Sequence, residues 1–248
     1  MDTLDSWQLV ARGSAEDFVT ALSREALEHP AVHHPYLKRL ASGDLPRMDI
    51  ALRDYAFQYS FYGAEFTAYL EGVIGGLIST RHREVLRENL EEEKGEPGSD
   101  DIDQMPHTDL FRLFRNAVGA DEDYLAKAKP CTTVLVWRDL FLQKCQSRQE
   151  GVGLGAIGIA TEMVVPTMYD YILKGIKNNS QLTPREYHFF ELHAVADDEH
   201  GQDLVNITID LAKQYDLREA IRFGVFSSLN LRRAFWDIML SRAVASQG

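Results

Sequence analysis

Apolar positions recur along this chain at steps of three and four, the spacing that lays one stripe down a helix. The stripe is clearest in Leu52, Tyr55, Tyr59, Tyr62, Phe66, Tyr69 and Val73, which predict one amphipathic helix from about Met48 to about Leu77. Ser14 to Asp17 opens an earlier helix that runs through Ala26 and stops at Glu28-His29-Pro30. The following His33-His34-Pro35-Tyr36 reads as a loop with solvated histidines. Thr80 opens a helix ending at Lys94-Gly95, and a polar loop from Glu96 to Pro106 leads to His107 at the entrance of the next helix, closed by Gly119.

A further helix is predicted over residues 132–147, and one or two closing helices over about Leu217 to Ala245. Thr183-Pro184-Arg185-Glu186 carries a cap, a first-turn proline and a capping-box glutamate, so a helix should run from about residue 184 to about 215. No strand, repeat or low-complexity segment stands out, and the fold class is all-α in a single domain over residues 1–248.

Residues Gly151 to Pro166 form a long apolar run. Gly153, Gly155 and Gly158 spell G-x-G-x-x-G, but a dinucleotide loop needs a preceding strand, and the preceding segment is helical and then polar. A membrane span is also weighed, yet Glu162 and Asp170 interrupt the run and no basic flank orients it. A buried central helix is the preferred reading, its glycines letting neighbours approach closely. Pro166 cannot donate to the Glu162 carbonyl, which predicts a kink.

Charge narrows the partners. A net charge of −12 argues against nucleic acid or an anionic membrane. Two cysteines, Cys131 and Cys145, exclude a disulfide framework and fit free thiols in a reducing cytoplasm. The N-terminus, with Asp2 and Asp5 and no apolar signal core, is expected to leave the chain in the cytoplasm.

Several polar groups lack an explanation as solvated surface. His193, Asp197 and His200 stand at i, i+4 and i+7, one face of a helix and half of a metal site. Glu162 is the one charge in an apolar stretch, and a buried carboxylate must be protonated, paired or bound to a cation. Glu65 projects beside the aromatic stripe, one of Glu92 and Glu93 can face inward, and His107 sits at a helix entrance. Carboxylates and imidazoles without thiolate suit iron or manganese better than structural zinc, and these donors suffice for two ions. A ferritin-like centre needs two Glu-x-x-His motifs, and this chain offers one analogue, Asp197-x-x-His200.

In this ordered set the sequence resembles the haem-oxygenase-like di-iron oxidases and oxygenases. The resemblance rests on Glu65, on Asn89-Leu90-x-x-Glu93-x-Gly95 followed by His107-x-x-Leu110-Phe111, on Glu162, and on His193-x-x-x-Asp197-x-x-His200, and covers residues from about 50 to 205. The loop between Glu93 and His107 is longer than that family's usual spacing, and Glu93 is favoured over Glu92 because it stands two before Gly95. The resemblance implies a bundle of about seven helices holding two Fe(II), with manganese as the alternative, and O2 as co-substrate. It implies Glu93, His107 and His200 on one ion, His193 and Asp197 on the other, Glu162 bridging and Glu65 as a further ligand, these last two carboxylates taking part in the chemistry.

The expected activity is N-oxygenation, oxidative C–C cleavage, decarboxylation or desaturation of a small amino-acid-like or fatty-acid-like substrate in biosynthesis, with an external electron donor and a second copy of the chain as candidate partners. Tyr55, Tyr59 and Tyr62 read as core aromatics, with a role at the site as the alternative. Competing functions are a thiaminase-like hydrolase using Cys131 or Cys145, and a non-catalytic interaction protein with an acidic surface.

Overall fold

The computed structural model describes residues 12–194 and 199–245, without the side chains of Glu199 and His200. These residues form an all-helical bundle with no strand among them. The helices are α1 (Ala15–Leu27), α2 (Pro35–Ser42), α3 (Met48–Gly63), α4 (Phe66–Gly76), α5 (Thr80–Lys94), α6 (His107–Ala117), α7 (Glu122–Lys127), α8 (Thr132–Cys145) and α9 (Glu150–Leu154), then a wide π-type segment over Gly155–Glu162, and α10 (Val165–Asn179), α11 (Pro184–Ala194), α12 (Glu199–Ala212) and α13 (Tyr215–Ala245). The segments outnumber the seven or so expected, chiefly because long apolar stripes are interrupted where the site lies.

Local chemistry accounts for most boundaries. Ser14 caps α1 by accepting from the Asp17 amide. Thr183 and Glu186 form half of the expected capping box, the Glu186 carboxylate accepting from both the amide and the hydroxyl of Thr183. Ser79, one residue before the expected Thr80, caps α5.

The segment read as a loop at residues 33–36 is instead the start of α2. Pro35 occupies its first turn and His34 is the cap, its Nδ1 accepting from the Tyr36 amide and its Nε2 donating to Asp237. His34 is buried, whereas the adjacent His33 is exposed.

Two predicted helices are broken. The stripe from Met48 to Leu77 turns at Ala64–Glu65, splitting into α3 and α4. The apolar helix over residues 150–179 winds into i→i+5 bonding before Pro166, with the Met163 amide reaching the Gly158 carbonyl, and restarts at Val165. The proline thus sits in a first turn, where its missing donor costs little. The most apolar window of this helix is 78% buried by the bundle around it.

The glycines of that run do what small residues do at a helix crossing. A Cβ at Gly155 would strike the Ile221 carbonyl of α13, and one at Gly224 would strike the Val152 carbonyl of α9. Backbone therefore meets backbone along α9, the π segment and α13, and the core extends from this seam into an aromatic layer. Tyr62 and Trp137 stack there with centroids 3.8 Å apart. Arg232 is buried beside them, its Nη2 donating to Thr161 Oγ1 at 3.2 Å and its guanidinium lying over both rings.

Candidate metal centre

The ends and breaks of helices supply the site. Glu93 stands in the last turn of α5, His107 is the first residue of α6, and His193 is in the last turn of α11. One donor atom from each lies within 4.8 Å of the other two. Among three successive glutamates only Glu93 turns inward; Glu91 and Glu92 are exposed. Gly95 ends α5 at φ +48°, and Glu96 then pins the long loop by donating its amide to the Gln104 carbonyl at 2.7 Å. That loop returns the chain so that His107 faces Glu93.

His193 Nδ1 donates to the Phe189 carbonyl at 2.7 Å, which fixes the tautomer and leaves Nε2 facing the cluster, 3.9 Å from Glu93 Oε1. His107 Nδ1 is 2.9 Å from the same oxygen but without hydrogen-bond alignment, so it is a buried polar atom with no partner. Burial opposes charge on Glu93, yet His107 and His193 beside it outweigh that cost and hold its carboxyl down to about 2. Burial likewise opposes charge on His193, and Glu93 prevails, raising its pKa. Glu93 is thereby kept ionised, and a metal cation entering the cluster would displace the proton that Glu93 favours on His193. An ion about 2 Å from each donor needs donor spacings of roughly 3–4 Å, so small side-chain movements would close the set. Two imidazoles and one carboxylate on one side of a site are the donor set of non-haem Fe(II) oxygenases, and the residues present fit iron.

The cluster opens onto a cavity of about 270 Å³. Glu65, at the break between α3 and α4, and Glu162, at the end of the π segment, line it with the three cluster residues. Five of the seven predicted ligands thus share one cavity, three of them as a tight cluster. Asp197 lies outside the described residues, as does the side chain of His200. Sequence reasoning missed Tyr169, whose hydroxyl meets that of Tyr59 at 2.6 Å in the cavity wall, and the arginines Arg112, Arg115 and Arg138. Burial raises both tyrosine pKa values, so these phenols stay protonated. Tyr55 and Tyr62 are core residues behind Tyr59. Neither cysteine is among the lining residues; Cys145 is buried, which pushes its thiol up and away from reactivity.

The profile of a family described as iron-containing redox enzymes matches residues 53–233, which include the whole cluster. The chain belongs to that family. It is similar to a protein named 4-aminobenzoate synthase from Chlamydia pneumoniae, with 26% identity over 187 residues, 75% of this chain and 79% of that one. Solved structures share the fold. A TenA homolog from Pseudomonas syringae matches with a TM-score of 0.74 at 14% identity, covering 97% of this chain and 98% of its own. A CADD-like protein of unknown function from Nostoc punctiforme matches at 0.72 with 16% identity, covering 91% and 98%. A domain of unknown function with a heme oxygenase-like fold from Shewanella denitrificans matches at 0.70 with 17% identity, covering 100% and 97%.

Proposed function

We propose that this family member is a non-haem di-iron oxidase or oxygenase that uses O2 to oxidise a small organic substrate in the cavity beside Glu93, His107 and His193. The observation that carries this reading is the clustering of those three donors in the wall of a cavity that also holds Glu65 and Glu162. Glu93, His107 and His193 would hold one ion together, which moves His193 from the second ion of the expected partition to the first; Glu65 and Glu162, with the expected Asp197 and His200, would hold the second. Iron bound there supplies the electrons and open coordination positions for O2 reduction.

The protein's part is positioning and protection. The Phe189 carbonyl orients His193, and the Gly95 turn brings the chain back so that His107 meets Glu93. The rings of Phe111, Phe189 and Tyr169 line the cavity beside the donors and would limit their contact with water, while the Tyr59–Tyr169 pair is a protonated donor within the wall. Similarity to a protein named for 4-aminobenzoate synthesis supports a small organic substrate. A cytoplasmic location, an external electron donor, and the absence of nucleic-acid and membrane partners belong to the same reading. The alternative of a cysteine hydrolase is compatible with the fold shared with the TenA homolog, but neither cysteine is among the residues that line this cavity.

Anaerobic titration with ferrous ion tests the reading, followed by admission of O2 and visible absorbance, for wild type and Glu162→Ala. About two irons per chain and an O2-dependent band absent from the variant are expected. No iron-dependent signal, even with candidate substrates present, would reject it.

A further inference from the structure

Helix α6 is a ruler along the cavity. His107, Phe111 and Arg115 follow at i, i+4 and i+8, and all line it, with Arg112 beside them. At 1.5 Å per residue the two ends of this row are about 12 Å apart along the axis. Helical side chains lean toward the N-terminus, so the guanidinium groups reach back over part of that distance. A ligand of about six to nine heavy atoms would bridge the rest.

Arg115 is itself buried, 8% exposed, and its Nε has no hydrogen-bond partner. A buried guanidinium with an unused donor is costly unless something accepts from it. Its Nη2 does pair with Glu122, but that carboxylate is 73% exposed and can yield to a competitor at little cost. Arg112 is half exposed, with Nη1 3.1 Å from Asp109. From α8 across the cavity comes Arg138, whose Nε donates to Asp139 at 2.8 Å. The remaining acidic groups of the wall, Glu65, Glu93 and Glu162, are those the metal reading commits to cations, which leaves the arginines to meet an anion.

We propose that the cavity takes a small carboxylate-bearing molecule, its carboxylate on Arg115 and Arg112 and its opposite end directed toward Glu93, His107 and His193. This rests on the metal-centre reading for the identity of the reacting end, while the arginine end stands on its own geometry. The planar fork of arginine matches a carboxylate in two-point contact, which Arg115 can offer through its two terminal nitrogens once Glu122 gives way.

Calorimetric titration of the full chain, both metal-free and ferrous-loaded under anaerobic conditions, tests this with matched pairs: benzoate against benzamide and hexanoate against hexanamide. The carboxylates should bind at least about tenfold more tightly than their neutral mates, and Arg115→Gln should weaken them about tenfold to a hundredfold. Arg112→Gln should weaken them less, and Glu122→Gln, which frees Arg115, should leave binding unchanged or tighter. Should Arg115→Gln fail to fold, the Arg112 and Glu122 variants carry the test. Equal binding of the amides, no response to Arg112→Gln and folded Arg115→Gln, tighter binding of hexylphosphonate than hexanoate, or no carboxylate binding below about 10 mM would each overturn the proposal. Iron that fails to bind while carboxylates still do would instead reject the metal reading and leave this one standing.

Discussion

Glu93 Oε1 and His107 Nδ1 lie 2.9 Å apart although a helix end and a long polar loop separate them in the chain. Gly95 decides that approach. Its φ of +48° disfavours any side chain, and a Cβ there would come within 2.7 Å of Gln104, Met105 and Pro106 backbone atoms. Gly95→Ala should therefore spread the loop and pull His107 from Glu93. Ferrous affinity is expected to fall about 10- to 100-fold, as for a lost orienting contact, while far-ultraviolet circular dichroism stays helical. Unchanged iron binding would show that the loop does not set the donor geometry.

Direct loss of a donor should be more severe. Glu93→Ala removes the oxygen that both imidazoles face, and His193→Ala removes the ring held by Phe189. Wild type at ferrous ion about a hundredfold above its Kd should gain about 2.7 kcal/mol of stability, seen as a raised anaerobic Tm. Both variants should lose that rise. Chelation should return the wild-type Tm to the metal-free value.

The seam between α9 and α13 leaves no room for a methyl group. Gly224→Ala drives a Cβ into the Val152 carbonyl, with the Val152 carbonyl carbon only 2.9 Å away, and backbone cannot swing aside as a side chain could. Overpacking of this kind costs about 1–3 kcal/mol, or a Tm lower by roughly 2–12 °C in a chain of this size. Thermal unfolding of metal-free protein reads this directly. Gly75→Ala, where a Cβ meets nothing within 4 Å among the described residues, is the control and should be neutral or better.

Acid should loosen the first helical hairpin. Burial lowers the His34 pKa below its ordinary 6.5, the hydrogen bond to Asp237 opposing this only in part. The folded chain then binds fewer protons at His34 than the unfolded one, so this contribution is complete above pH about 6.5 and is lost as pH falls through the lower folded value. Protonation also puts hydrogen on the Nδ1 that accepts from the Tyr36 amide, which removes the cap of α2. His34→Asn keeps a capping oxygen without titrating in this range. A series of Tm values from pH 8 to pH 5 should fall less steeply for this variant than for wild type.

How legible this protein was differs from element to element. The period of its apolar residues, Ser14, the Thr183–Glu186 pair and Gly95 determined an all-helical chain and most helix ends, because capping and amphipathicity act within a few residues. The order of its carboxylates and histidines likewise marked Glu65, Glu93, His107, Glu162 and His193 before any contact was known. Only the tertiary structure decided that the stripe from Met48 to Leu77 breaks at Glu65 and that His34 caps a buried helix. Those outcomes depend on what each residue meets across the bundle, as do the Tyr59–Tyr169 contact and the guanidinium of Arg115 at the cavity wall. A sequence carries local preference at every position. Burial and the approach of distant side chains arise when helices remote in the chain share one core, and no local pattern encodes that distance.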